Sequence, residues 1–150
     1  MKTLRDYQVR AKDELLEVLL FDSRACLIMP PRLGKTLTVI HPIQELLDGH
    51  VDEDYKILWL AHTVSLVQQA QEVFEEEDNE GQYSIAQMSS DFDQTTQYNV
   101  LFSTLQMMGM HRDRFAQYEF AIVVVDEAHY GMAPDFRSTI EYFNFCFFIF

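Results

Sequence analysis

An α/β domain built on a mostly parallel sheet is the fold this sequence predicts, and three observations predict it. Strand-like and helix-like segments alternate along nearly the whole chain, the pattern that gives parallel strands joined by crossover helices. The clearest strand candidate, around Ile122-Val123-Val124-Val125, is a continuous apolar run rather than an alternating one, as expected of a strand buried on both faces. Two short motifs, Met29-Pro30-Pro31-Arg32-Leu33-Gly34-Lys35-Thr36 and Val123-Val124-Val125-Asp126-Glu127-Ala128-His129, each contain or follow an apolar run, and parallel strands deliver such residues to one rim of the sheet. The 150 residues, 48% of them hydrophobic, suffice for one domain with a sizeable core.

The elements follow in order. From Gln8 to Phe21, Leu15, Leu16, Leu19 and Leu20 fall at helical spacing, and Asp22-Ser23 supplies a turn. Ala25 to Met29 reads as a short buried strand feeding the Gly34-Lys35-Thr36 turn. The helix beginning there meets Pro42, which lacks an N–H and is expected to kink or restart it, and Asp48-Gly49 ends it. Lys56 to Ala61 reads as a strand, and Leu66, Val67, Ala70, Val73 and Phe74 mark one face of the next helix.

Tyr83 to Met88 carries a weaker strand pattern, and residues 89–97 are polar and loop-like. Tyr98 to Ser103 is a further strand, leading into a helical turn in which Met107, Met108 and Met110 are expected to fill core. After the strand Phe120 to Val125, Pro134 suits the first turn of a helix running to about Phe143. Residues 145–150 are wholly apolar and the right length for one more buried strand.

Composition narrows the partners. A formal net charge of -13 opposes strong nonspecific binding to a nucleic-acid backbone, which rests on clustered Lys and Arg. The acidic clusters Asp52-Glu53-Asp54 and Glu75 to Glu80 are expected on solvated surface. Cys26 and Cys146 sit in apolar runs and read as small buried thiols, which fits a reducing cytoplasm. No apolar stretch approaches the ~20 residues that span a bilayer, and the first residues lack a signal-peptide core. A soluble cytoplasmic protein without membrane partners is the expectation.

Together the two motifs read as halves of a site for a nucleoside triphosphate and magnesium. Backbone amides from about Leu33 through Gly34 and Lys35 to Thr36 can form a phosphate nest at a helix start. The Lys35 ammonium belongs against the β and γ phosphates, and the Thr36 hydroxyl suits magnesium, a hard cation that prefers oxygen. Asp126 would hold the same ion, directly or through water, and Glu127 would orient or deprotonate the attacking water. His129 either couples the site to a neighbouring domain or caps the following turn.

With these residues in place, the chain resembles the first motor domain of superfamily 2 helicases, in particular the DEAH-type group that includes restriction-enzyme motor subunits and repair helicases. The likeness implies a RecA-like phosphate-loop NTPase domain spanning residues 1–150, C-terminally incomplete. Leu4-Arg5-Asp6-Tyr7-Gln8 is similar to the segment opening such motors, which implies that Gln8 reads adenine and that ATP is the nucleotide. Leu58-Trp59-Leu60-Ala61-His62-Thr63 and Phe102-Ser103-Thr104-Leu105-Gln106 resemble motifs that touch a nucleic-acid strand. Thr63, Thr104 and Gln106 are thereby implied as contacts to DNA more than RNA, uncharged donors that suit an acidic chain.

The sequence also departs from the family pattern. His62 and Val64 replace the usual Pro and Arg, and Pro30, Pro31 and Arg32 stand where many members carry a small residue, a Thr and a Gly. Arg32 must then accept backbone angles that a glycine meets at low cost. The resemblance places the strand at 145–150 between the phosphate-loop strand and the Asp-Glu strand, and leaves residues 25–29 as an apolar edge. In the family a Thr-Ala-Thr-Pro-like motif and a second motor domain bearing an arginine finger follow. The expected function is the ATP-binding N-terminal motor domain of a DNA helicase or restriction translocase, weak or inactive alone and dependent on that second domain or a partner chain. The alternatives are an acidic regulator of a partner motor and an unrelated phosphate-loop NTPase or kinase.

Overall fold

The computed structural model describes residues 2–21, 24–50, 54–131, 133–143 and 146–150. Six parallel strands form one sheet: β1 (Arg24–Leu27), β2 (Ile57–Ala61), β3 (Ile85–Gln87), β4 (Val100–Thr104), β5 (Ile122–Val125) and β6 (Cys146–Ile149). Their order across the sheet is β1-β6-β5-β2-β4-β3. The expected third strand is present but short, and β6 lies between β1 and β5 as the resemblance implied. Because every pair is parallel, all the carboxyl ends share one rim.

Among the described residues the α-helices are α1 (Asp6–Phe21), α2 (Lys35–Gly49), α3 (Val64–Glu77), α4 (Leu105–His111), α5 (Ala128–Gly131) and α6 (Pro134–Tyr142). On one face, α1, α2 and α3 enclose a core with Val39, Ile43, Trp59, Phe74 and Phe102. On the other, α4 and α6 enclose Leu58, Leu60, Leu101, Met108 and Val125. The alternation within β2 places Ile57, Trp59 and Ala61 on the first face and Leu58 and Leu60 on the second. All five are fully buried, so β2 is the central strand of the packing. Among the described residues no helix is long and apolar enough to cross a membrane.

Several expectations are corrected. Pro42 does not restart the helix: α2 is one continuous element with Pro42 inside. One lost hydrogen bond is outweighed by the burial of Val39, Ile40, Ile43, Leu46 and Leu47 along its length. Cys26 is exposed rather than buried, because β1 occupies the sheet edge, while the Cys146 side chain lies outside the described residues. Leu20 is 60% exposed, the buried stripe of α1 running instead through Leu15 with Leu16 and Leu19 beside it. Met108 is core, but Met110 is 59% exposed.

The acidic run from Glu75 is not uniformly solvated either. Glu77 is buried, accepting from the Lys2 backbone N–H at 2.7 Å and lying 3.0 Å from His41 Nε2. Asp54 is exposed and pairs with Lys56 at 3.2 Å. Asp52 and Glu53, like the Asp22-Ser23 turn, lie outside the described residues.

Candidate nucleotide and nucleic-acid site

The rim at the strand carboxyl ends brings the two motifs together. β1 leads through residues 28–34 into α2, and two left-handed residues shape that loop: Arg32 at φ 66° and Gly34 at φ 76°. Arg32 thus adopts the angles expected of a glycine, a conformation costing an L-residue about 1–2 kcal/mol. Gly34 is required for a second reason. A Cβ there would sit 2.7 Å from Gln8 Nε2, so the loop backbone lies directly on that side chain.

Gln8 is 4% exposed and fixed from both ends of its amide. Its Oε1 accepts from the Arg5 backbone N–H at 3.0 Å. Its Nε2 donates toward Leu33 O (3.3 Å), Gly34 O (3.4 Å) and Thr38 Oγ1 (3.3 Å). The Tyr7 hydroxyl adds a bond to Leu33 O at 3.2 Å. Thr38, which the sequence reading missed, is fully buried and bonds back to Gly34 O at 2.9 Å through its hydroxyl and 3.0 Å through its amide. Its only signal was its position four residues beyond the glycine, where a helical Thr can bond the carbonyl one turn back.

Lys35 opens α2, and its Nζ lies 3.5 Å from Glu127 Oε1. Glu127 Oε2 in turn lies 3.5 Å from His129 Nδ1. Glu127 has φ 48°; together with Arg32 it completes the non-glycine residues at positive φ among the described residues, and both occur in these motifs. Such strain gathers where a side chain must be aimed. Thr36 is half-buried in the first turn of α2.

Asp126 is 6% exposed. Its N–H continues the ladder by donating to Leu60 O at 2.8 Å, and its Oδ1 accepts from the Glu127 N–H at 2.9 Å. Burial raises the Asp126 pKa above the ordinary value, against the opposing pull of the Glu127 N–H and the Lys35 charge. Its charged form is therefore costlier in the folded chain than in the unfolded one. By linkage, its contribution to stability is fully present below the usual aspartate pKa of about 3.9 and is lost as pH rises through the raised folded value. Asp126→Asn, which keeps an acceptor for the Glu127 N–H, is expected to raise the Tm at pH 7 and to lose that advantage in acid. Melting curves of both proteins across pH are the check, and coincident curves at pH 7 would contradict it.

Farther along the rim stand the other predicted residues. Thr63 is exposed and caps α3, accepting from Leu66 N–H at 3.3 Å. Thr104 caps α4, accepting from Met107 N–H at 3.1 Å. Ala61 pairs with Thr104 across β2 and β4, so the two threonines lie at adjacent strand ends. Gln106 is exposed in the first turn of α4, in a groove it shares with Met110 and Phe136. With strands about 4.8 Å apart, the rim reads in order from the phosphate loop through the Asp-Glu turn to Thr63 and Thr104. The structure therefore brings Gln8, Leu33, Gly34, Lys35, Asp126, Glu127 and His129 into one cluster and sets Thr63, Thr104 and Gln106 in a second beside it.

A family profile described as type III restriction enzyme, res subunit, matches residues 1–150. No curated protein matches the chain. Among solved structures, the SWI2/SNF2 ATPase core of Sulfolobus solfataricus, in complex with double-stranded DNA, is similar at a TM-score of 0.83 and 17% identity, over 99% of this chain and 32% of that one. The UvsW helicase of bacteriophage T4 is similar at 0.77 and 20%, over 99% of this chain and 52% of that one. A nuclease-deletion mutant of the type ISP restriction-modification enzyme LlaGI, bound to a DNA substrate mimic, follows at 0.74 and 23%, over 99% and 17%. At these identities the likeness is one of fold, and the chain spans between about a sixth and a half of those proteins.

Proposed function

Since the chain belongs to the family of type III restriction enzyme res subunits, within the superfamily 2 helicases, we propose that residues 1–150 are its N-terminal ATP-binding motor domain, serving a DNA helicase or restriction translocase. The observation that carries this reading is the 3.5 Å approach of Lys35 Nζ to Glu127 Oε1 across the sheet rim, with Gln8 packed under the same loop. Lys35 is held near the place it is needed by a contact long enough to give up. On nucleotide binding, its ammonium turns from Glu127 to the phosphates, which frees Glu127 to accept a proton from the attacking water at a carboxylate oxygen.

The donor set suits a hard dication. Thr36 and Asp126 offer hydroxyl and carboxylate oxygens, and a cation near the buried Asp126 would reverse the effect of burial on it. Magnesium, when bound, supplies charge neutralisation for the phosphates. Both ends of the Gln8 amide are engaged, so reading adenine requires it to give up one of those bonds, which would couple adenine occupancy to the phosphate loop. His129, at Glu127 Oε2, orients that carboxylate.

Thr63, Thr104 and Gln106 form the contact for a DNA backbone, through neutral donors that an acidic surface tolerates. Turnover by residues 1–150 alone is expected to be slow, because the family carries an arginine on a second motor domain and such arginines contribute ~10³–10⁵ in rate in related NTPases. Calorimetric titration with ATP and magnesium tests the reading. Saturable binding is expected in the wild type and in Glu127→Gln, with any ATP turnover falling to background in the variant. A wild-type chain that binds no ATP would sink the proposal.

A further inference from the structure

A second cleft, remote from the nucleotide site, opens where the later half of α2 faces the end of α3 and the turn beyond it. It measures about 230 Å³ and is lined by His41, Gln44 and Asp48 on one side and by Glu77, Glu80 and Tyr83 on the other. Gln44 lies nine residues beyond Lys35 on the same helix, about 14 Å along its axis. Five carboxylates line the cleft, those of Glu45, Asp48, Glu77, Asp78 and Glu80, and no Lys or Arg does.

Most of these acids are already engaged. Glu45 pairs with Lys12, Asp48 accepts from the Tyr83 hydroxyl at 2.6 Å, Asp78 accepts from the backbone N–H groups of Gln82 and Tyr83, and Glu80 accepts from Gln82 Nε2. The floor is different. Glu77 and Gln44 are each 3% exposed, yet Glu77 Oε1 and both polar atoms of the Gln44 amide make no hydrogen bond. Leaving a buried polar group unpaired costs about 1–3 kcal/mol, and under the acidic rim the floor holds two unpaired acceptors, Glu77 Oε1 and Gln44 Oε1, with one unpaired donor, Gln44 Nε2.

We propose that this cleft binds an organic cation, an ammonium or guanidinium head, whose N–H donors reach Glu77 Oε1 and Gln44 Oε1. An inorganic dication is disfavoured, since no group of three or more His, Cys, Asp or Glu among the described residues is placed to hold a metal. An anion is excluded by the five carboxylates. The volume equals roughly eight waters at about 30 Å³ each, room for such a head and part of its stem. The Lys2 backbone N–H at Glu77 Oε2 already shows the type of donor this carboxylate takes.

The cation has two possible sources, a free polyamine or a Lys or Arg side chain of a partner protein. Titrating the full chain with spermidine and, separately, with a tetra-arginine peptide distinguishes them. Saturable binding of spermidine indicates the free amine, and saturable binding of the peptide alone indicates the side chain. Gln44→Leu leaves every charge in place, so it retains any diffuse attraction to the acidic surface. It is expected to weaken the saturable binding at least tenfold and, by removing an unpaired buried amide, to raise the Tm of the unliganded chain. In the wild type, the Gln44 side-chain amide resonances should move with the same saturation, a readout that depends on no variant. The proposal is overturned if neither probe saturates, if Gln44→Leu binds like wild type, or if those resonances stay still while others shift.

Discussion

Lys35→Ala is expected to weaken ATP-magnesium binding by roughly ten- to a hundredfold, the loss of charge-assisted bonds worth ~1.5–3 kcal/mol at about 1.4 kcal/mol per decade. The reason lies in how little else Lys35 does. It meets Glu127, 3.5 Å away and about a third exposed, a contact too long and too wet to support the fold. The Tm of the variant should therefore stay within a degree or two of wild type, by the small effect usual for such surface pairs. Affinity and stability are separately measurable, so a variant that loses both would point to unfolding rather than to a lost phosphate contact. Equal nucleotide titrations of the two proteins would remove Lys35 from the site.

Phe102→Ala is expected to do the opposite, costing about 3–5 kcal/mol of stability through residues that touch no nucleotide. Phe102 is fully buried in β4, its ring centroid 6.0 Å from Trp59 on the neighbouring strand and 6.1 Å from Phe74 on α3. It therefore bridges the sheet to the helix layer at the centre of one core. Since a domain of this size has only ~5–15 kcal/mol in total, the variant should sit near its unfolding transition at room temperature. Denaturant melts with an unchanged slope and a much lower midpoint are the expected signature; a midpoint within a few tenths molar of wild type would show that the aromatic cluster repacks.

Both results follow from features the sequence displayed, and the contrast with what it concealed is instructive. The Ile-Val-Val-Val run announced β5 because double burial leaves no alternation to read. The meeting of Lys35 with the Asp126-Glu127 turn at one rim was legible because each motif follows an apolar strand-like run, a pattern visible along the chain. Cys26 was misread because an apolar run by itself looks the same in a central or an edge strand, although the family resemblance, which leaves residues 25–29 at the edge, already pointed to exposure. Glu77 was misread because charge runs are usually solvated, and nothing local tells which of the five acids from Glu75 to Glu80 turns inward to meet His41. Thr38 escaped notice for a similar reason: its value comes from Gln8, thirty residues away, and no spacing encodes that contact.

The insertion of β6 beside β1 has a consequence in time as well as in space. Ala25 pairs with Phe147 and Leu27 with Ile149, while the Met29 N–H reaches Phe150 O at 3.4 Å and the Phe150 N–H reaches Leu27 O at 3.0 Å. The loop bearing Lys35 is therefore anchored to segments that a ribosome makes long after it, and strand pairs so distant along the chain form late because loop closure must come first. Until residues 146–149 have emerged and docked, β1 lacks the strand that pairs with it in the sheet. On the proposed reading, nucleotide affinity is gained only once β6 has docked beside β1, rather than accumulated along the way.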